Sequence, residues 1–130
     1  MSWAEVLDNP EYLGAFFENN EGLENVSLFE ASFDRDGPTL KLRANLSRFP
    51  DRRPSRWHQS FNQAQITLSL SLSDEIEVRG WRAVMDGQLV MRRVSQTELV
   101  FSFESPGVTI RGRAYGVRLD NLTAYQNSPP

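Results

Sequence analysis

The sequence predicts an α+β fold that is mostly β, with two short N-terminal helices packed on an antiparallel meander of about eight strands. Two patterns carry this prediction. Apolar residues in the first 17 positions recur at helical spacing, and from Val26 onward apolar and polar residues alternate with a period of two. Turn residues interrupt that alternation every eight to twelve positions. The meander could curl as an open sheet, close into a barrel or fold into a sandwich, and the sequence leaves these three open.

Both helices are predicted from their caps and their apolar stripes. Ser2 and Glu5 have the spacing of a capping box. Asn9 is expected to cap the second helix, with Pro10 in its first turn. Apolar residues follow each cap at i, i+3 and i+4. The helices are therefore expected to bury Trp3, Leu7, Leu13, Phe16 and Phe17 against the sheet.

The strand boundaries are predicted from turn residues and from breaks in the alternation. Asp36-Gly37 and Asp86-Gly87 predict two hairpins, and Pro106-Gly107 predicts a type II turn. Ile66–Leu72 alternates most cleanly, and its second face of Thr and Ser indicates a central strand. Near Tyr115-Gly116 the apolar positions change from even to odd numbers, which predicts a bulge or a tight turn.

Composition indicates one domain without a metal or cofactor. The chain has 130 residues and 39% hydrophobic content, which predicts a single domain at 1–125 and a frayed tail at 126–130. It has no cysteine and one histidine, so a thiolate or multi-histidine metal site is not expected. The N-terminus lacks the pattern of a signal peptide, and no apolar run is long enough to span a bilayer. We therefore expect a cytoplasmic protein with no membrane contact.

No pattern of residues indicates catalysis. His58 is the only histidine, no carboxylate is near it in sequence, and the chain has no Gly-x-Ser-x-Gly elbow. Phosphate-binding glycine loops are also absent. We expect no catalytic residue and no enzyme, and a hydrolase acting through His58 is the third possibility behind the two considered below.

A basic loop with aromatic residues follows the second predicted strand. It spans residues 48–62 and carries Arg48, Phe49, Arg52, Arg53, Arg56 and Trp57. Such a loop could stack on a single-stranded nucleic acid. The net charge of −3 and the acidic N-terminal third would repel phosphate, so a nucleic-acid partner is not expected. Trp57 is instead expected to anchor the loop to the core.

The segment Leu46–Leu72 resembles the Immunity protein 50 family of bacterial polymorphic toxin systems. A strand ends, a proline-punctuated basic loop follows, and a clean alternating strand comes next. The acid-rich N-terminal region and the run of strands extend the resemblance to nearly the whole chain. The residues of this chain that carry it are Leu46, Pro50, Pro54, Trp57, Asn62, Ile66, Leu68 and Leu70. All are interpreted as fold determinants, and the additional Arg52-Arg53 departs from the pattern.

The resemblance implies an immunity protein that binds a cognate toxin made by the same cell and blocks it stoichiometrically. Residues 1–40 hold nine acidic residues and one basic residue, whereas residues 41–57 hold six basic residues and one acidic residue. An acidic surface of this kind steers a basic partner toward it. Our hypothesis is that this surface covers a basic cleft on the toxin. Its proposed contact residues are Glu18, Glu21, Glu24, Asp34 and Asp36.

The competing hypothesis is a barrel or sandwich that binds a small ligand. The meander would then enclose an apolar cavity lined by Leu70, Phe101, Phe103 and Ile110. Whether side chains fill the interior is the observation that separates the two hypotheses. The sequence determines neither the identity of the toxin nor the oligomeric state.

Overall fold

The computed structural model describes residues 2–127, so Met1 and the last three residues of the predicted tail lie outside it. A 3₁₀ helix at Trp3–Val6 and one α-helix, α1 at Pro10–Gly14, precede seven strands. The strands are β1 Asn25–Asp34, β2 Thr39–Leu46, β3 Gln63–Leu72, β4 Glu77–Arg79, β5 Asp86–Arg93, β6 Leu99–Ser105 and β7 Val108–Tyr125.

Six of the strands close into an antiparallel barrel. The order β3-β2-β1-β5-β6-β7 is completed by a β3–β7 pairing, and β4 pairs with the first part of β7. Strand β7 has 18 residues, enough to pair with β6 and β4 through its first part and with β3 through its second. The structure therefore decides among the three predicted arrangements in favour of the barrel.

The core follows the alternation of the strands. In β3 every second residue is buried, and β2 and β7 flank it on both sides, which confirms the predicted central strand. Its buried residues are Ala64, Ile66, Leu68, Leu70 and Leu72. Alternation puts the same face of each strand toward the interior, so one apolar core fills the barrel.

The N-terminal segment contains less helix than predicted. The first predicted helix is a 3₁₀ turn, and the second has five residues. Asn9 does not cap it, because its side-chain amide donates to the Leu119 carbonyl and accepts from the Leu119 amide, both at 2.9 Å. The segment thus runs along the barrel wall, from a bridge between Ser2 and Val90 on β5 to β7. The five side chains expected to be buried there are buried, as predicted.

The prediction of about eight strands is wrong by one. Strand β7 passes through the shift at Tyr115-Gly116 without ending, because Tyr115 is a bulge residue between the pairs Ser71–Gly116 and Leu72–Ala114. Asp86-Gly87 lies inside β5 rather than in a hairpin turn, and the chain enters β5 from an exposed loop at residues 80–84. The turn at Gly107 is confirmed by its φ of 76°.

A bulge also changes the faces of β1. Leu28 pairs with Ala44 and Glu30 pairs with Arg43, so Phe29 is the additional residue. Phe29 shares the outer face with Glu30, since the Arg43 guanidinium lies 5.9 Å from its ring centroid and 3.1 Å from the Glu30 carboxylate. Phe29 is therefore 42% exposed, although the alternation alone favours the core.

Candidate functional site

Two of the five predicted contact residues lie at one end of the barrel, between α1 and β1. Glu21 is exposed and Glu24 is half-buried. The Asn19 side chain accepts from the Glu21 amide at 3.1 Å, and Gly22 turns the chain with a φ of 76°. Leu23 is fully buried and its carbonyl accepts from the Trp3 indole at 2.7 Å, which fixes the segment on the core.

Glu21 and Glu24 line an acidic groove together with Glu5. The groove has a volume of about 740 Å³. Its other lining residues are Ser2, Asn19, Asn20, Gly22, Gln88 and Val90. Among the described residues no lysine or arginine lines the groove, and the three carboxylates outnumber the single guanidinium beside it, that of Arg48, so the groove has a negative potential. The sequence pattern assigned Glu5 only to a capping box, and its acidic neighbours in space come 16 or more positions later.

Glu18 faces the basic loop rather than the acidic groove. Its carboxylate lies 3.6 Å from the Arg52 guanidinium, and its amide donates to Asp51 at 2.9 Å. The Glu18 and Arg52 side chains are 71% and 48% exposed, so this ion pair contributes little stability. Glu18 therefore pairs with a basic side chain, whereas the carboxylates of Glu21 and Glu24 form no ion pair within residues 2–127.

Asp34 and Asp36 lie at the other end of β1, on the hairpin to β2. The Asp34 carboxylate accepts from the Asp36 amide at 2.9 Å, and neither residue forms an ion pair within residues 2–127. A ten-residue strand is about 30 Å long, so these residues are far from Glu24. The structure thus separates the five predicted residues into three places: Glu21 and Glu24 in the groove, Glu18 beside the basic loop, and Asp34 and Asp36 on the hairpin.

The basic loop is held against the segment that follows α1. Arg48 donates to the carbonyls of Asn19 and Glu21 at 3.1 and 2.9 Å. Arg52 donates to the carbonyls of Gly14 and Ala15 at 2.6 and 3.2 Å. The Gly14 and Ala15 carbonyls end α1, and the Asn19 and Glu21 carbonyls lie in the irregular segment before β1, so these backbone acceptors lack helical partners. Arg48 and Arg52 are therefore structural.

Trp57 anchors the loop, as predicted. Its ring stacks on Phe16 with centroids 5.6 Å apart and meets Phe49 edge-on at 5.9 Å. Arg53 lies 4.8 Å from the centroid of Phe49 and donates to the carbonyls of Gln59 and Phe61. Most of the basic and aromatic groups that could stack on a nucleic acid are thus occupied within the protein.

Asp51 is the electrostatic centre of this contact. The Glu18 amide hydrogen bond is the largest cause that lowers the Asp51 pKa below its ordinary 3.8, and the Arg48 guanidinium, 2.5 Å away, adds to it. The carboxylate is thus held in its charged form by groups from both segments.

His58 has a local role in the same loop. Its Nδ1 accepts from the Ser60 amide at 3.1 Å and lies 2.6 Å from the Ser60 hydroxyl. Contacts of this kind stabilise a turn. Within residues 2–127 no carboxylate contacts the imidazole, so the ring lacks the orienting acid of a hydrolytic triad.

A second groove lies over β5, β6 and β7, with a volume of about 630 Å³. Residues 74–77 border it, and Arg92, Arg111 and Arg113 line it. Glu77 pairs with Arg111 at 3.3 Å. Small-ligand sites commonly have about 300–1,000 Å³, so this groove is large enough for one.

Glu98 supports the wall of this second groove. The Ser73 hydroxyl donates to it at 2.8 Å and is the first cause of its lowered pKa, and Arg113, 2.8 Å away, is the second. The charge of Arg113 is thus engaged by Glu98. Phe101 lines the groove, whereas Leu70, Phe103 and Ile110 are packed in the core.

Neither metal ligands nor a membrane span stand out in the described chain. Residues 2–127 contain no group of three His, Asp or Glu side chains placed to hold an ion. No helix in that range has the length and hydropathy needed to cross a bilayer.

Comparison with known proteins identifies the family. The sequence model of Immunity protein 50 matches residues 9–125. Because this match covers most of the chain, the protein belongs to the Immunity protein 50 family, and the resemblance inferred from Leu46–Leu72 is confirmed. No match was found among curated proteins or among solved structures.

Proposed function

We propose that this chain is a bacterial, cytoplasmic immunity protein that binds a cognate polymorphic toxin and neutralises it by stoichiometric protein–protein inhibition. The observation that carries the proposal is the family match over residues 9–125. Inhibition by binding needs a complementary surface and no reaction centre. The structural roles of His58 and of the arginines that hold the basic loop in place are compatible with that requirement.

The acidic groove supports the electrostatic part of the proposal. Glu5, Glu21 and Glu24 line it without a basic side chain, so it attracts a basic surface on the toxin. Electrostatic attraction raises the association rate, which favours rapid capture of a lethal partner. Asp34 and Asp36 form a second acidic group on the hairpin, and Glu18 lies at the margin of the first.

The decisive experiment is co-expression of this chain with the toxin domain encoded beside it. Rescue of growth, together with co-purification of the two chains in a 1:1 complex, is the expected result. An inactive toxin variant expressed at the same level is the control for toxicity. Growth arrest despite expression of both folded chains, with no complex, would refute the immunity function.

The electrostatic part has a separate test in the association rate. The triple variant Glu5→Lys, Glu21→Lys and Glu24→Lys is expected to slow association with the toxin and to flatten its dependence on salt. Reversal of three acids outside the groove, Asp74→Lys, Glu75→Lys and Glu104→Lys, is the matched control. Equal rates for both triple variants would exclude the acidic groove as the contact while leaving inhibition intact.

A small-ligand-binding barrel is the second candidate; side chains fill the interior where its cavity was expected, so it now depends on the outer groove beside Phe101. Arg92 in its lining, which forms no ion pair within the described chain, fits a ligand with a carboxylate or phosphate group. Native mass spectrometry of the purified chain would show a ligand as an added mass that Arg92→Ala removes. A chain that carries no added mass and protects cells from the toxin would exclude this alternative.

A further inference from the structure

We propose that the free edge of β1, residues 29–34, is the docking edge for an extended segment of the toxin that adds to the barrel wall as a strand. This inference rests on the proposed function, because it specifies how the toxin is held. The edge, its exposed side chains and its charge each support it.

The edge lacks a paired strand because β5 pairs with only the first three residues of β1. The two strands pair only at residues 25–27, and one more backbone bond joins the Leu28 amide to the Met85 carbonyl at 3.0 Å. From Phe29 to Asp34, the side of β1 opposite β2 has no backbone partner within the described chain. Alternate amides and carbonyls along this side are therefore available to another strand.

Large apolar side chains surround the open edge. Phe29 and Val84 lie one residue beyond the Leu28–Met85 bond and are 42% and 70% exposed. The loop at residues 80–84 is exposed throughout, and Trp81 within it is 51% exposed. Exposed apolar groups that cluster at one place commonly mark an interface, and tryptophan is enriched among residues that dominate binding.

Phe33 is the most exposed large apolar side chain of residues 29–34. It pairs with Leu40, so both side chains point to the inner face of the barrel wall. Leu40 is fully buried, yet Phe33 is 55% exposed, because the hairpin extends past the neighbouring strand. A strand added to this edge would cover the ring with its own inward-facing side chains.

Natural strands usually protect such an edge with lysine, proline or a short length. Here the bulge at Phe29 interrupts the edge at one end, and residues 29–34 contain neither lysine nor proline. The six residues of this edge extend about 20 Å. That length is sufficient for a strand to pair in register.

The charge and size of the edge favour a toxin segment over a second copy of this chain. Asp34 and Asp36, at the hairpin end of this edge, form no ion pair within residues 2–127, so they favour a partner strand with a basic side chain, whereas residues 29–34 of a second copy carry no basic residue. A stable interface uses roughly 20–30 residues from each partner, far more than this edge offers to its own copy. A toxin strand with a lysine or arginine near Asp34 and Asp36 complements the edge, and the toxin contributes further contacts elsewhere.

The test variant is Phe33→Lys, which introduces on this edge the residue that natural strands use to prevent pairing at an edge. The probe is the toxin domain encoded beside this chain, and its affinity is measured by titration calorimetry. Because Phe33 is more than half exposed, the urea midpoint is expected to stay unchanged while the affinity falls at least tenfold. The control Val94→Lys, at a residue 41% exposed beyond the end of β5, is expected to bind like the wild type.

A second measurement does not depend on any variant. Hydrogen exchange of the wild-type complex is expected to show new protection of alternate amides in residues 29–34. Full binding by Phe33→Lys, or unprotected amides in a formed complex, would overturn the docking edge while the immunity function stands. Absence of binding by the wild type would refute the proposed function itself. A dimer of the free chain that Phe33→Lys dissociates would make a second copy the occupant.

Discussion

Two segments of this protein contain both arginine and tryptophan, and these side chains differ in their contacts and exposure. In residues 48–57, Arg48 and Arg52 donate to backbone carbonyls and Trp57 stacks on Phe16. In residues 80–84, which contain Trp81 and Arg82, every residue is exposed. The two segments have similar composition. They differ in whether backbone carbonyls and aromatic rings of neighbouring segments lie within contact distance of their arginine and tryptophan side chains. The first segment is therefore part of the fold, and the second is available to a partner.

The largest effect expected from this comparison is on the two tryptophans. Trp57→Ala removes the ring that contacts Phe16 and Phe49, and we expect a loss of about 2–4 kcal/mol in the free energy of unfolding. Trp81→Ala is the matched variant, and its change is expected to stay within about 0.5 kcal/mol because the ring is half exposed. Urea unfolding measures the change in unfolding free energy for both variants. Equal losses of stability would contradict the conclusion that Trp57 belongs to the fold and that Trp81 is available to a partner.

A smaller effect is expected for the arginines. Arg48→Ala leaves the carbonyls of Asn19 and Glu21 without their donor and removes the partner of Asp51. We expect a loss of about 1–3 kcal/mol, since the lost hydrogen bonds involve a charged group. Arg56→Ala, in the same loop but without an ion pair in the described chain, should be nearly neutral. If Arg56→Ala were as destabilising as Arg48→Ala, the carbonyl contacts would not explain the loop.

The pH dependence of the loop contact gives the smallest expected effect. The folded-state pKa of Asp51 is lowered, so its contribution is fully present above the ordinary value of 3.8 and is lost as the pH falls through the lower folded value. Asp51→Asn is therefore expected to be less stable than the wild type at pH 7, with the difference vanishing at acid pH. Urea midpoints at several pH values check this, and a difference that does not shrink as the pH falls below 3.8 would contradict it.

Sequence alone predicted the strands better than their connections. The alternation in Ile66–Leu72 identified the central strand, and the change of parity near Tyr115, which predicted a bulge or a tight turn, coincides with a bulge. It could not show that Asp86-Gly87 lies within β5, because the same dipeptide occurs in hairpin turns. The sequence also could not predict the contacts of Asn9. Asparagine often caps a helix, but the Asn9 side chain here forms a hydrogen bond with Leu119 in β7, more than 100 positions later.

The candidate site was less accessible to sequence reasoning. The five contact residues were predicted from the acidic composition of the N-terminal region. Their proximity in sequence did not show that the length of β1 separates Glu24 from Asp34. Glu5 joins the acidic groove only through the fold. The exposed edge of β1 was also hidden, because the alternation of Phe29 and Phe33 has the pattern of core residues. Exposure at these positions depends on where β5 leaves β1, which is a tertiary property.

The comparison of the two segments is tested most directly by toxin affinity for Trp81→Ala and Arg56→Ala. Both residues are exposed, one in each segment, so neither substitution disturbs the fold. Titration of each variant with the toxin domain encoded beside this chain is expected to show at least a tenfold loss of affinity for Trp81→Ala and less than a twofold change for Arg56→Ala. The opposite order would place the contact on the basic loop and contradict the assignment of that loop to the fold.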